Sequence, residues 1–393
     1  MKALFGTPLW SSAFRPFYFL GTAYAPLLAI AWLAMHLGLW HDPQVNVPLQ
    51  FRHGHEFIFG FSAAIIVGIV LTALPSWAGT EEIRGGRLVL LVALWLAGRI
   101  AFWAAPWLPP LLPGMVDCLL FPAVTAMVAP QLLQARNRFY LLLLPILIAL
   151  FAANLLYHHG IVTTNYRQVW QALRLALYAV IVLYVIKGGV LAPIFTGNAL
   201  REKARGDMLP FNMSLEIAAV GVVLLLAVLE LAAAPAPWTG SCALACALLH
   251  GWRTARWQGW RVPDVPLLLV MHMGFGWLVL AFALKAAADL TGIVPETAWL
   301  HAFTVGSLGM MMLGLMTRVS LRHTGRPLVV PPAMLTAYVL MFVAALLRLA
   351  AAVHDFGSGA IVLAAGLWAA SFMLYFTLFW KVLLRPSAPQ PAQ

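Results

Sequence analysis

Residues 51–74, FRHGHEFIFGFSAAIIVGIVLTAL, decide the fold, because a long apolar run follows directly on four ionisable side chains. A helix needs about 20 mostly apolar residues to cross the hydrocarbon core of a bilayer. The run that starts at His55 meets this length and predicts a membrane span over residues 55–77. The ionisable side chains therefore lie at the mouth of a membrane helix, where charged groups are costly to keep.

The same length criterion predicts an all-α, polytopic membrane protein of about twelve spans. The predicted spans cover residues 17–40, 55–77, 88–105, 112–133, 139–159, 169–191, 214–234, 238–252, 265–288, 298–318, 331–352 and 360–383. The composition agrees, since 63% of the 393 residues are hydrophobic and 9% are charged, against about 25% charged in soluble domains. We expect a single helical domain over residues 1–385, in contact with the lipid bilayer, and a disordered tail over 386–393.

The lysines and arginines predict that both termini are cytoplasmic. They cluster at the N-terminus, in the even-numbered loops and at the C-terminus, whereas the odd-numbered loops carry little beyond Arg52 and Arg167. Cytoplasmic loops are enriched in these residues. The net charge of +11 thus reflects topology, and it does not indicate nucleic acid as a partner.

Most of the histidines then fall near the predicted outer surface, where neutral imidazoles are tolerated and can bind metals. His53 and His55 are two residues apart, so a helix points them to different faces. His55 opens the span and is the better ligand, while His53 is an alternative ligand or a residue that supports the site. Arg52 either pairs with an anionic group of a ligand or snorkels to water. The helix dipole alone accounts for Glu56.

A second copy of the pattern occurs near the other end of the chain. HEFIFGFSAAIIVGIVLTALPSWAG (55–79) aligns without gaps with HAFTVGSLGMMMLGLMTRVSLRHTG (301–325), so that His55 matches His301. The two spans run in the same direction, which places both histidines at similar depth. Two imidazoles at equal depth are what a six-coordinate haem iron requires. The pattern predicts a metal or haem at His55 and His301, with Arg52 on the propionates. The alternative is that both histidines cap helices or contact interfacial water.

Other polar groups in the apolar segments give further candidates. His272, in the sequence MHM, is a copper candidate because methionine and histidine suit Cu(I), and the remaining copper candidates are His158, His159 and His323. A solvated interface is the simpler interpretation of His158 and His159.

Charged residues within the spans give two more predictions. Arg99 and Asp117 lie on neighbouring spans and predict a buried pair. Arg174, Lys285 and Arg348 are expected to lie near the outer boundary and to snorkel.

Several segments resemble the signature segments of the NnrS family. They are SAFRPFYFLG, RHGHEFIFGFSAAIIVGIVLTALPSWAG, LWLAGRI and HAFTVGSLGMMMLGLMTRVSLRHTGRPL, and the similarity extends over nearly the whole chain. The resemblance implies a twelve-span protein of the bacterial inner membrane, associated with nitric oxide stress and denitrification. It also implies haem and copper as cofactors, and we expect the haem to be of the b type.

A fainter likeness connects the chain with the catalytic subunits of haem–copper oxidases. These also have twelve spans, and they hold a low-spin haem between histidines at the outer ends of spans two and ten. Spans six and seven of this chain contain no histidine, although that superfamily places its copper ligands there. The sequence therefore disfavours oxygen or nitric oxide reduction at such a site.

Two functional hypotheses follow. The first is a haem protein, with copper as a further metal, that carries out redox or nitric oxide ligand chemistry with a redox partner. If it is an enzyme, it is an oxidoreductase acting on nitric oxide or nitrosylated metal species, with unknown catalytic residues. The second is a transporter of copper or another small solute, which predicts a site near the bilayer midplane.

Overall fold

The structure is a computed structural model that describes residues 6–40, 47–135, 138–354 and 356–389. Every regular element in these ranges is helical. His41, which the sequence places near the outer surface, lies outside the described residues.

Twelve helices of 18 or more residues make up the fold in these ranges. They are α1 (Phe14–His36), α2 (Leu49–Ala78), α3 (Gly86–Trp103), α4 (Leu112–Gln134), α5 (Arg138–Val162), α6 (Tyr166–Glu202), α7 (Met213–Leu231), α8 (Ala236–Arg256), α9 (Pro266–Thr291), α10 (Glu296–Arg322), α11 (Pro332–Val353) and α12 (Gly357–Leu384). Eleven are long and apolar enough to cross a membrane. The 21 residues of α8 span about 31 Å, but this helix is less apolar. The prediction of a polytopic, all-α membrane protein is confirmed.

The chain divides into two compact units. The first consists of Met1–Val180, Val319–Pro327 and Phe376–Gln393, and the second of Ile181–Arg318 and Leu328–Tyr375. The single domain predicted over residues 1–385 stays a prediction, and so does the disordered tail over 386–393.

Small residues bring α1 and α2 together in the first unit. A Cβ atom added at Gly21 would lie 3.2 Å from the Cβ of Ala64, and one at Gly68 would lie 3.0 Å from the ring of Tyr18. Glycine at such contacts lets helix backbones approach closely. The packing buries this face of α2.

The buried Arg15 side chain ties α1 to the end of α12. Its Nη1 donates hydrogen bonds to the carbonyl oxygens of Leu383, at 2.9 Å, and Arg385, at 2.7 Å. The last carbonyls of a helix have no partner within the helix, so a buried arginine there satisfies them. Beyond the helix, the Ser387 hydroxyl accepts from Arg15 Nη2, and the amide of Ala388 donates to the carbonyl of Thr324. The first residues of the predicted tail are therefore held against the first unit.

The repeat found in the sequence has a structural counterpart. A π-helix occupies Glu56–Ser62 within α2, and another occupies Ala302–Leu308 within α10. The gapless alignment that pairs His55 with His301 also pairs the first and last residues of these two segments. π-Helical turns are rare and are frequent at functional sites. Each unit thus contains one histidine followed directly by a π-helix.

Candidate metal centre in the first unit

His55 is fully buried, about 9 Å along the helix axis from Leu49. The helix begins at Leu49, so the prediction that His55 opens the span is wrong, and the histidine lies nearly two turns inside. One face of its ring stacks on Phe102, with centroids 4.8 Å apart and planes at 2°. Tyr157 lies 4.2 Å away at 30°. These contacts leave the ring little freedom to rotate.

Both ring nitrogens of His55 contact polar side chains. Nδ1 lies 3.1 Å from Oε1 of Glu56, and Nε2 lies 2.9 Å from Oδ1 of Asn154 and 3.1 Å from Oδ2 of Asp117. Glu56 is not in the first turn of its helix, because α2 begins seven residues earlier in the chain, at Leu49. The helix dipole therefore does not account for this carboxylate; its contacts with other side chains do.

Asp117 brings a second imidazole to the same place. Its Oδ2 lies 3.0 Å from Nε2 of His158, and Nδ2 of Asn154 donates to this oxygen at 3.2 Å. Ligand atoms of His55, Asp117 and His158 all lie within 4.8 Å of one another. Two histidines and a carboxylate thus converge from α2, α4 and α5.

Glycines make room for this convergence. A Cβ added at Gly98 of α3 would lie 3.2 Å from the Cα of Asp117 and 2.5 Å from its Oδ1. A Cβ at Gly114 would lie 2.7 Å from the Cβ of His158. Since helix α3 meets α4 at Gly98, and α4 meets α5 at Gly114, the two glycines let the ligand-bearing helices approach.

Arg99 balances part of the negative charge. Its guanidinium donates to Glu56 through Nη1 and to Asp117 through Nη2, and all three side chains are buried. The predicted pair of Arg99 and Asp117 is confirmed. Glu56 and Asp117 carry two formal negative charges against one positive charge on Arg99. The buried Arg52 adds a second positive charge beside Phe102, the ring that stacks on His55. An uncompensated charge at this depth is costly.

The surroundings of the cluster around His55 also include Tyr24, Trp95 and Trp103. The Tyr24 hydroxyl donates to Oε2 of Glu56 and accepts from Nε1 of Trp103 at 2.8 Å. Nε1 of Trp95 donates to the carbonyl of Gly60 at 2.9 Å, inside the π-helix. This bond satisfies a backbone acceptor in a segment whose hydrogen-bond pattern departs from that of an α-helix.

Arg52 and His53 lie close in sequence to His55 but have other neighbours. Arg52 is 4% exposed, and its guanidinium carbon lies 5.4 Å from the ring centroid of Phe102 and 5.3 Å from that of Trp103. Its expected place at the water boundary is wrong. The half-buried His53 packs on the rings of Trp32 and Phe57. Two roles stay predictions: the binding of haem propionates by Arg52, and the action of His53 as a ligand.

The other predicted site residues lie in the second unit. Nδ1 of His301 lies 2.7 Å from the carbonyl of Thr297, one helical turn earlier. Nε2 of His272 lies 2.9 Å from Oγ1 of Thr196. No described His, Cys, Asp or Glu triad includes either histidine. Their roles in haem and copper binding stay predictions.

Two further expectations concern side chains at helix ends. Lys285 is buried and pairs with Glu230 and Asp289, each at 2.7 Å, so the prediction that it snorkels is wrong. His323, a copper candidate, lies beyond α10 with its ring 5.9 Å from that of Phe14. Burial lowers the pKa of His323, and the nearby Arg322 acts in the same direction.

Sequence reasoning missed the contacts of Asn154, and it named His158 only as one of several copper candidates. The solvated interface expected for His158 is wrong, because its side chain is 12% exposed and contacts Asp117. A signal was present: Asn154 and His158 are four residues apart, so they share one face of an otherwise apolar helix. His159, the next residue, is exposed and contacts Gln168.

The surroundings of His55 fit a metal ion better than a porphyrin. An axial haem iron requires open space in front of Nε2, and Asp117 and Asn154 occupy that space. These side chains offer oxygen donors, and His158 offers a nitrogen. An octahedral ion with bonds of about 2.1 Å has ligand edges of about 3.0 Å, close to the separations from Asp117 to the two imidazoles. We therefore assign no haem-dependent step to His55.

The fold and this cluster define a polytopic helical membrane protein with buried potential metal ligands. The family model described as NnrS protein matches residues 8–387. The chain belongs to the NnrS family, which confirms the resemblance seen in the sequence. No curated protein matches it. Family membership supports a role in the response to nitric oxide.

Proposed function

We propose that this protein is a metal-dependent membrane protein of the nitric oxide response, with its metal held by His55, Asp117 and His158. The observation that carries the proposal is the convergence of their ligand atoms within 4.8 Å inside the helix bundle. Buried ionisable groups in a membrane helix are expensive and default to a functional explanation.

The donor set favours iron(II). Two histidines and one carboxylate with open positions are typical of non-haem iron(II) sites. When bound, such a metal supplies open positions for a small ligand, and nitric oxide is the ligand that the family membership suggests. Imidazoles also suit copper, so metal analysis has to identify the ion.

The neighbouring side chains have defined tasks in this arrangement. Glu56 accepts the hydrogen bond from Nδ1–H of His55, which selects the tautomer that leaves Nε2 for the metal. Arg99 holds both carboxylates in place. Phe102 and Tyr157 fix the ring plane and exclude water from it.

A haem at His301 is a second candidate, favoured by a separate observation. The contact of Nδ1 with the Thr297 carbonyl selects the tautomer in which Nε2 is the ligand atom. We propose a b-type haem there, with Nε2 of His301 as one axial ligand. Four expectations from the sequence remain proposals: copper at His272, the alternative of a transporter, a redox partner, and a location in the bacterial inner membrane.

Metal analysis and visible spectra of the purified protein test these proposals together. We expect about one iron per chain without a haem band if the centre holds a non-haem ion. Asp117→Asn should lose the metal, and Glu56→Gln should weaken its binding by about 10- to 100-fold. Asp207→Asn, which changes an exposed loop carboxylate, is the matched control.

Three results would decide against parts of this proposal. Metal retained at full occupancy in Asp117→Asn would exclude the centre. A metal-free protein would favour a protonated His55 that donates to both carboxylates. A haem band that persists in His301→Ala would exclude His301 as the haem ligand.

A further inference from the structure

A row of aromatic side chains leads from the surface of the first unit to the cluster around His55. Trp40 is 43% exposed beyond the end of α1, at the predicted outer side. Its ring stacks on Trp103, with centroids 5.9 Å apart and planes at 16°. Trp103 donates to the Tyr24 hydroxyl at 2.8 Å, and Tyr24 donates to Glu56. Glu56 in turn contacts Nδ1 of His55.

We propose that Trp40, Trp103 and Tyr24 form a one-electron path between a redox partner at the outer surface and the cluster. The proposal rests on the proposed function, since it describes how electrons reach or leave that centre. Indole and phenol are the side chains that most readily lose a single electron. Here each member touches the next by ring stacking or a hydrogen bond. The redox partner is a one-electron carrier that reaches the exposed ring of Trp40.

The hydrogen bond to Glu56 makes Tyr24 the inner end of this path. When Tyr24 is oxidised, its electron passes to Trp103 and then Trp40, and a one-electron acceptor in the outer aqueous phase takes it up. The phenolic O–H bond breaks, and its proton passes to Oε2 of Glu56. A neutral phenoxyl radical and a protonated carboxyl group remain, so charge and protons balance. Reduction follows the reverse course.

The positive charge of Arg52 determines which member of the aromatic path holds the radical. Its guanidinium carbon lies 5.3 Å from the ring centroid of Trp103. A positive charge at this distance in a medium of low dielectric constant opposes a second positive charge on the indole. The oxidised state therefore favours Tyr24, where loss of the proton leaves no net charge. This contact gives the buried arginine a reason to lie beside Trp103.

Flash oxidation of the purified full-length protein tests the path without requiring turnover. Photogenerated ruthenium(III) tris-bipyridine, with persulfate as the final acceptor, oxidises exposed rings, and freeze-quench electron paramagnetic resonance detects the radical. We expect a neutral tyrosyl signal that narrows when ring-deuterated tyrosine is incorporated. Tyr24→Phe should abolish it, and Trp40→Phe and Trp103→Phe should lower its yield severalfold.

Trp238→Phe is the matched control, because Trp238 is 68% exposed and belongs to the second unit. It should leave the tyrosyl yield unchanged. An equal yield in wild type and Tyr24→Phe, or in wild type and Trp40→Phe, would overturn the path. Metal content measured in the same samples separates the two proposals, since a metal-free wild type would refute the centre while the radical experiment still decides the path.

Discussion

The orientation of the His55 side chain follows from its ring contacts and its nitrogen contacts together. Phe102 and Tyr157 fix the plane of the ring, and Glu56, Asn154 and Asp117 surround its edge. In a membrane, each of these polar groups would otherwise lack a partner. The residues therefore depend on one another, and loss of one ligand should weaken metal binding and also lower the free energy of unfolding.

The neighbouring histidines of α5 provide a direct test at this scale. His158→Ala removes a nitrogen donor within 3.0 Å of Asp117, so it should lower metal affinity by more than about 100-fold, since changes outside the ligand set already cost 10- to 100-fold. His159→Ala removes an exposed ring that contacts Gln168 and should retain the metal. Titration of the metal-depleted proteins with iron(II) measures both affinities. If both variants lose metal affinity equally, the loss results from a disturbed end of α5, and His158 is not a metal ligand.

At the scale of the element, the π-helix of α2 places Gly60 against the charged cluster. A Cβ at Gly60 would lie 2.9 Å from Oε2 of Glu56 and 3.1 Å from Nη1 of Arg99. Both atoms are held by other hydrogen bonds, so they have little freedom to move away. The conformation of the π-helix Glu56–Ser62 therefore depends on its contacts with the side chains of Glu56 and Arg99 as well as on its own sequence.

Gly60→Ala should lower the free energy of unfolding by about 1–3 kcal/mol, the usual cost of overpacking, and reduce metal occupancy. Gly221→Ala is the control, because a Cβ there meets nothing within 4 Å and alanine raises helix propensity by about 1 kcal/mol. Thermal unfolding in detergent compares the two variants. If Gly60→Ala is as stable as Gly221→Ala, Glu56 and Arg99 move to accommodate the added methyl group, and the prediction is wrong.

At the scale of the whole molecule, the loop charges predict how the chain is oriented across the bilayer. Arginines and lysines lie at the predicted cytoplasmic ends of helices and in the loops that follow, as in Arg201 at the end of α6 and Lys203 and Arg205 after it. The loop between α5 and α6, residues 163–165, carries none. Short loops with this bias set orientation during insertion.

Reporter fusions in a bacterial host measure this orientation. Green fluorescent protein fused after residue 389 should fluoresce, and alkaline phosphatase at the same position should be inactive, because both termini are predicted to be cytoplasmic. A phosphatase inserted in the loop at residues 163–165 should be active. The opposite pattern would contradict the predicted topology and place the His55 cluster near the inner surface.

Helix number and family, but not the bounds of individual helices, were accessible from the sequence, because span length, loop charge and signature segments are local properties of the chain. Apolar runs of about 20 residues leave few alternatives in a bilayer. Even the pairing of Arg99 with Asp117 followed from their place on neighbouring spans.

Only the tertiary structure decided the composition of the centre. His55, Asp117, Asn154 and His158 come from three helices, and their meeting depends on the close contacts at Gly98 and Gly114. The sequence repeat directed attention to a partner in the second half of the chain, whereas the mapped contacts of His55 lie in the first unit. Its haem pairing with His301 stays a prediction. Local patterns specify which residues enter the membrane, but packing between helices decides which of them meet.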